Sequence, residues 1–196
     1  MKTKSKALLL ALCAVLLVAA SVLGTMAYLT SQAEVTNTFT VGSVSITLDE
    51  APVDANGKET TGARVTTNSY KLMPGHEYDK DPTIHVAAGS EDCWLFVQIT
   101  DEIAAIQDAD TIATQMAAKG WTLVDAGANV YAHNAIAKAG NNVVVFESFK
   151  IKGDVENDAL AAYAGKTIKV IAYAVQADGF NSAEAAWTAA FATPQG

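Results

Sequence analysis

Residues 93–100 read Cys-Trp-Leu-Phe-Val-Gln-Ile-Thr, and this stretch indicates the fold class more clearly than any other. Its aromatic and β-branched residues are those that pack well on the pleated surface of a sheet. Gly89-Ser90 precedes it as a turn signal. The stretch therefore predicts a strand, in which Cys93 is a buried, unreactive thiol.

Strand-like segments recur on both sides of residues 93–100. Turn signals separate them, and Asn56-Gly57 is a strong hairpin signal. In the first segment the alternation breaks at Gly42, which predicts a bulge or a bend. The last segment is apolar on parts of both faces, which favours a central position in a sheet. The further predicted strands are Asn37–Leu48, Arg64–Leu72, Thr83–Val86, Trp121–Val124, Asn129–Ala132, Val143–Ile151 and Lys166–Ala177.

Three segments change to a helical period. Asp101–Lys119 carries isoleucine and methionine at helical spacing among alanines, is interrupted near residue 108, and ends at Gly120. Asp154–Ala164 predicts a short helix, and Asn181 with Glu184 three residues later predicts a capping box before a final helix. No linker or repeat divides these elements. We therefore predict a mainly β fold, one domain with two or three short helices on connections.

The start of the chain has the pattern of a secretory signal. Lysines at positions 2, 4 and 6 precede an apolar run at residues 7–18, and Thr25-Met26-Ala27 supplies small residues for a signal peptidase. We predict a signal peptide at residues 1–27, cleavage between Ala27 and Tyr28, and a single domain at residues 28–196. Because the uncharged run approaches the roughly 20 residues of a membrane span, an uncleaved N-terminal anchor is the alternative. Membrane contact is expected only through that uncleaved signal.

The charge balance limits the partners of the exported protein. The chain has 13 basic and 21 acidic side chains, and cleavage after Ala27 removes three of the basic ones, which leaves 10 against 21 and a net charge of −11. A surface that acidic disfavours nucleic acid and anionic membranes. Cys93 is the one cysteine left after cleavage, so no intramolecular disulfide is expected and stability depends on the apolar core.

No catalytic pattern stands out in the sequence. The three histidines, His76, His85 and His133, have no metal-binding spacing, and no nucleophile elbow, phosphate loop or dinucleotide fingerprint is present. We therefore expect no catalytic residue, no metal site and no cofactor. Acidic pairs such as Glu91-Asp92 are interpreted as solvated surface charge. The tryptophans at positions 94, 121 and 187 lie in or beside apolar runs and are interpreted as core residues rather than a sugar-stacking platform.

Two sets of residues carry a resemblance to a known family. Residues 24–30 read Gly-Thr-Met-Ala-Tyr-Leu-Thr, and residues 37–44 read Asn-Thr-Phe-Thr-Val-Gly-Ser-Val. Downstream, Leu72-Met73-Pro74-Gly75 is followed by Lys-Asp-Pro-Thr-Ile at residues 80–84. Together they resemble the start of the TasA/camelysin family, whose members are exported by Gram-positive bacteria through a SipW-type signal peptidase. The similar segments extend to about residue 100.

The resemblance implies a jelly-roll-like antiparallel β-sandwich and a secreted structural role in the extracellular biofilm matrix or in cell-surface fibres. It also implies self-association, or association with a related matrix subunit, by donation of an N-terminal strand. In this chain the donor would be residues 28–39, with Tyr28, Leu29, Val35 and Phe39 as its apolar positions. The competing interpretation is that this segment folds back as the first strand of its own subunit.

Two other functions remain as alternatives. One is a monomeric surface-binding module for a saccharide or a host protein, which would use the loops of the sandwich. The other is a zinc metallopeptidase of the camelysin type, because the family has carried that label. The chain lacks a recognisable set of zinc ligands, so we expect a protein that is not an enzyme.

Overall fold

The structure, a computed structural model, describes Lys6 and residues 10–18, 42–108 and 112–191. The chain divides into two compact units, Met1–Thr40 and Val41–Gly196. In the first unit, residues 10–18 are helical and exposed. Within the described ranges, no helix has both the length and the apolar character needed to cross a membrane.

Nine strands form three antiparallel sheets in the described part of the second unit. The four-stranded sheet has the order β5-β6-β4-β9, the three-stranded sheet β1-β3-β7 and the two-stranded sheet β2-β8. The mainly β fold with antiparallel sheets and a few short helices is therefore confirmed. The strands are β1 (Ile46–Asp49), β2 (Glu77–Asp79), β3 (Thr83–Val86), β4 (Cys93–Asp101), β5 (Trp121–Asp125), β6 (Val130–His133), β7 (Asn142–Val144), β8 (Ser148–Lys150) and β9 (Ile168–Gln176).

The β4 strand lies at the centre of the packing because both of its faces are apolar. Leu95 and Val97 contribute to the main core cluster together with Ile84 of β3. The alternate residue Phe96 contributes to a second cluster on the opposite face of the sheet. Burial of one such side chain contributes about 1.5–3 kcal/mol. The period-two pattern of β4 therefore joins two layers of the core, as residues 93–100 predicted.

The helices cover the sheets and connect them. They are α1 (Ile112–Ala118), α2 (Asn157–Leu160) and α3 (Ala183–Phe191), with 3₁₀ turns at Ala104–Ile106 and Ala161–Tyr163. Gly120 follows α1 with φ of +86°, which is the left-handed conformation expected of a glycine after a helix. The cap of α3 differs from the prediction, because the hydroxyl of Ser182, and not Asn181, accepts the amide hydrogen of Ala185 at 3.2 Å. Ser182 thus accepts a hydrogen bond from one of the backbone N–H groups that have no partner within the first turn of the helix.

The predicted strand at Arg64–Leu72 is wrong. Only Val65 forms a backbone bridge, with Glu50, and the rest of the segment is irregular. Side chains hold it instead, since the Asn68 amide donates to Ala51 O at 2.8 Å and accepts from the Val53 amide at 3.2 Å. An amide side chain that satisfies backbone groups in this way replaces a strand ladder.

Two further predictions need correction. Val143–Ile151 forms β7 and β8 in different sheets, because the consecutive residues Val145 and Phe146 are both fully buried and break the alternation. The Lys166–Ala177 strand forms β9, which lies at the edge of the sheet and not at its centre among the described strands. Its two apolar faces are covered by the main core and by the cluster under α3, which requires no second neighbouring strand.

The region predicted as one interrupted helix from Asp101 contains three elements. Asp101 ends β4, a 3₁₀ turn follows at Ala104–Ile106, and α1 begins at Ile112. The predicted bulge at Gly42 corresponds to an extended approach to β1, in which Ser43 O accepts the amide of Glu91 at 3.0 Å. Residues 37–41 of that predicted strand lie outside the described residues.

Candidate functional site

A groove of about 1080 Å³ lies where an edge of the three-stranded sheet approaches an edge of the four-stranded sheet. We call it the edge groove. Strand β1 contributes Leu48 and Asp49 to its wall, and β9 contributes residues 168–170. The complete lining is Leu48, Asp49, Glu50, residues 65–70, Leu72, Lys80, Pro82, Ile103, Phe149, Asn157, Leu160, Ala161 and residues 163–170.

The β9 wall is a long and regular open edge. All nine residues of β9 pair with β4 without a register shift, and β9 has no second partner strand among the described residues. The direction of its main-chain groups follows from two contacts: the Ala177 amide donates to Asp92 O at 2.8 Å, and Thr167 O accepts from the Glu102 amide at 3.0 Å. Because the direction of the N–H and C=O groups alternates along a strand, the odd-numbered residues of β9 direct these groups towards β4. The residues whose N–H and C=O groups point away from β4 are Ile168, Val170, Ala172, Ala174 and Gln176.

The β1 wall is shorter, and a second segment of the chain bonds to its end. Beyond β1 the Glu50 and Val65 backbones exchange two hydrogen bonds of 2.8 Å. The Arg64 guanidinium contacts the Asp49 carboxylate, donates to Asp81 Oδ2 at 2.8 Å and donates to Thr83 Oγ1 at 2.9 Å. The bridge follows the last residue of β1, and β1 has only four residues against nine in β9, so β9 presents the longer unpaired edge among the described residues.

Charged and polar contacts hold Asp49, the last residue of β1, to the neighbouring segments. Burial raises the pKa of Asp49, but hydrogen bonds from Arg64 and His85 outweigh it, and the pKa of this carboxyl lies below its ordinary value. His85 is held between Asp49 Oδ1, at 2.8 Å from Nε2, and Asn142 Oδ1, at 2.7 Å from Nδ1. The ionised Asp49 therefore acts as the anchor for two side chains of the neighbouring segments.

An apolar and aromatic floor lies under the groove. Tyr70 and Tyr78 both contact the Phe149 ring, with centroid distances of 5.2 and 4.9 Å. Ile103 is also buried in this cluster, and Leu160 packs against it at the partly exposed rim. Burial raises the pKa of the Tyr70 phenol strongly, with a further rise from the Glu50 carboxylate. The floor therefore offers apolar contact for an extended segment placed along β9.

A buried charged pair lies in the groove wall. Lys80 and Glu50 are 9% and 6% exposed, and Lys80 Nζ donates to Glu50 Oε2 at 2.5 Å. Glu50 Oε1 accepts a hydrogen bond of 3.1 Å from Asn68 Nδ2. The ammonium nitrogen lies 6.0 Å from the centroid of the Tyr70 ring. Both oxygens of one buried carboxylate are thus occupied by nitrogens of two different segments.

The histidines are separated in the structure. His76 Nε2 lies 2.7 Å from Asn56 O, and His133 Nδ1 lies 3.0 Å from Ala135 O. Within the described ranges, no group of three or more His, Cys, Asp or Glu side chains is arranged to hold a metal ion. The Cys93 thiol is buried, and burial raises its pKa, as expected of an unreactive thiol.

The site residues predicted from the sequence are not among the described residues that line the groove. Ala27 and Tyr28 of the cleavage site, and Leu29, Val35 and Phe39 of the donor segment, lie outside the described residues. The groove and its charged pair were not predicted, because their residues extend from Leu48 to Val170 and form no local pattern. One available signal was the lysine at position 80, three residues before the first residue of the apolar strand β3.

The comparisons with protein-family models, with curated proteins and with solved structures find no significant match to this chain.

Proposed function

We propose that this chain is a secreted, non-enzymatic subunit of the extracellular matrix or of cell-surface fibres of a Gram-positive bacterium. In this proposal it is a TasA/camelysin-type protein that is processed by a SipW-type signal peptidase. Its sheets form a jelly-roll-like β-sandwich, and residues 28–39 of one copy add as a strand to the next copy. The observation that carries the proposal is the open β9 edge beside the edge groove.

The energetic argument begins with main-chain hydrogen bonds. An unpaired edge of nine residues presents N–H and C=O groups that a strand from another chain can pair with. The alternate side chains of such a strand need pockets, and the groove floor of Tyr70, Phe149 and Leu160 supplies apolar contact. The donor segment has apolar residues at its start, middle and end, so it fits an acceptor of this kind.

A first experiment compares two forms of the protein, one starting at Tyr28 and one starting near Val41. We expect the longer form to assemble into fibres, visible by size-exclusion chromatography and electron microscopy, and the shorter form to remain monomeric. If both forms remain monomeric at high concentration, the fibre proposal fails and the surface-binding module becomes the better interpretation. Chelator-sensitive cleavage of a generic protein substrate, abolished by substitution of His76 or His133, would instead support the peptidase.

A second experiment locates the acceptor edge. A synthetic peptide of residues 28–39 is added to the form starting near Val41, and binding is measured by fluorescence anisotropy. We expect saturable binding that an Ala172→Pro substitution abolishes, because that proline removes an outward N–H from β9 without removing a bond to β4. A scrambled peptide of the same composition is the matched control. Equal binding of the scrambled peptide would contradict strand addition.

A further inference from the structure

Lys80, Glu50 and Asn68 form a cluster in the wall of the edge groove that strand addition does not require. Lys80 Nζ and Asn68 Nδ2 are hydrogen-bonded to the two oxygens of the Glu50 carboxylate, at 2.5 and 3.1 Å. The Asn68 amide makes two further hydrogen bonds, since Nδ2 also donates to Ala51 O at 2.8 Å and Oδ1 accepts from the Val53 amide at 3.2 Å. One carboxylate therefore lies between an amine and a fixed amide.

Burial makes this cluster unusual as a purely structural feature. The side chains of Lys80 and Glu50 are both buried. The desolvation free energy of a buried ion pair is often larger than the attraction between its two charges. Glu50 Oε2, at 2.5 Å from Lys80 Nζ, is placed to accept a proton from the ammonium. A neutral amine is a nucleophile, and an ammonium is not.

We propose that Lys80 and Asn68 become joined by an intramolecular isopeptide bond, with Glu50 as the residue that transfers the protons. This modification is independent of the proposed fibre function. It requires no cofactor, oxidant or second protein, because the amine, the amide and the acid–base group are all present in the folded chain.

The step balances as follows. Lys80 Nζ gives one proton to Glu50 Oε2, and the neutral amine attacks Cγ of Asn68. Negative charge develops on Asn68 Oδ1, where the Val53 amide hydrogen stabilises it. Glu50 gives its proton to Nδ2, to which Oε1 is already hydrogen-bonded, and takes the second proton from Nζ. The Cγ–Nδ2 bond breaks, ammonia leaves through the groove, and it takes the remaining proton from Glu50 as ammonium.

The position of the bond gives it a consequence for the fold. Asn68 lies in the irregular 65–72 segment, where Val65 bridges to Glu50, and Lys80 lies shortly before β3. A covalent link between them fixes one wall of the groove and closes a loop of the chain from residue 68 to residue 80. Closing a loop in this way lowers the conformational entropy of the unfolded chain.

The direct test is the mass of the secreted protein, with its N-terminal residue identified. We expect a mass lower by one ammonia, about 17 Da, than that of the sequence counted from that residue. After trypsin digestion we expect the peptide of residues 65–71 to remain attached to a peptide of residues 72–119, because an acylated Lys80 is no longer a cleavage site. Free peptides 65–71 and 72–80 from folded wild-type protein would overturn the proposal.

Three variants provide the controls. Lys80→Arg keeps the charge but removes the amine nucleophile, Glu50→Gln keeps the shape but removes the acid–base group, and Asn56→Ser removes the Asn-Gly pair, which loses the same mass when it forms a succinimide. We expect the sequence mass for the first two and the lower mass for the third. If the mass loss disappears in Asn56→Ser, or persists in Lys80→Arg, it does not come from this bond. Circular dichroism establishes that each variant is folded.

Discussion

The two edges of the four-stranded sheet, β5 and β9, differ in length and in the regularity of their pairing. The β5 edge is five residues long, and its pairing with β6 shifts register between Leu123 and Asp125. The β9 edge is nine residues long and pairs with β4 without a shift. Short length and a bulge are the means by which proteins protect an edge from other chains. Among the described strands, the same sheet therefore has one protected edge and one longer edge without a partner strand.

The largest expected loss of stability comes from a substitution that disrupts the pairing of β9 with β4. Ile171 directs its main-chain groups towards β4, so Ile171→Pro removes a ladder hydrogen bond inside a paired strand and should lower the free energy of unfolding by about 4–5 kcal/mol. Chemical denaturation of the purified variant measures the change. An unchanged midpoint would mean that the assigned direction of the β9 main chain is wrong.

A somewhat smaller effect contrasts the centre of the sheet with its protected edge. Leu95 is completely buried in β4, and Leu95→Ala should lower the free energy of unfolding by about 2–5 kcal/mol. Leu123 on β5 is 47% exposed, and Leu123→Ala should change the free energy of unfolding by about 0.5 kcal/mol or less. Paired urea titrations give both values. Similar losses at the two positions would contradict the placement of the core.

A pair of proline substitutions compares the two edges directly. Ala172→Pro on β9 and Leu123→Pro on β5 each remove a main-chain donor that points away from the sheet, so each should cost about 1 kcal/mol or less. We expect Ala172→Pro to abolish assembly of the form starting at Tyr28, and Leu123→Pro to leave assembly unchanged. Electron microscopy of both variants shows whether fibres form. If only Ala172→Pro forms fibres, the edge that accepts the donated strand is β5 and not β9.

The smallest effect concerns Asp49, in the β1 wall of the groove. The pKa of Asp49 is lower in the folded chain than its ordinary value of 3.8, so the folded state favours the carboxylate. Its stabilising contribution is complete above pH 3.8 and is lost as the pH falls through the lower folded value. We expect a contribution of about 1 kcal/mol or less, as for other partly exposed ion pairs.

The control for this pH dependence is Asp49→Asn. Its unfolding free energy should be lower than that of the wild type at pH 6 and should converge with it near pH 2. Thermal unfolding across that range measures both proteins. A difference that persists at the lowest pH would show that Asp49 stabilises the fold through packing rather than through its charge.

The strongest local patterns were sufficient to predict several elements. The aromatic and β-branched residues at 93–100 predicted β4, Thr83–Val86 was predicted with its exact bounds as β3, and Gly120 was predicted as the end of a helix. In each case the signal is contained in neighbouring residues. The Arg64–Leu72 segment failed for the opposite reason, because the amide of Asn68 bonds to a segment about 15 residues away.

The sequence by itself determined the mainly β class, the strands β3 and β4, the turn at Asn56-Gly57 and the burial of Cys93, because these follow from propensities and periodicities within a few residues. Only the tertiary structure decided that β9 lies at an edge, since two covered faces produce the same apolar pattern as two paired neighbours. It also decided that Glu50, Asn68 and Lys80 meet, because hydrogen bonds between distant segments leave no periodic pattern in the sequence.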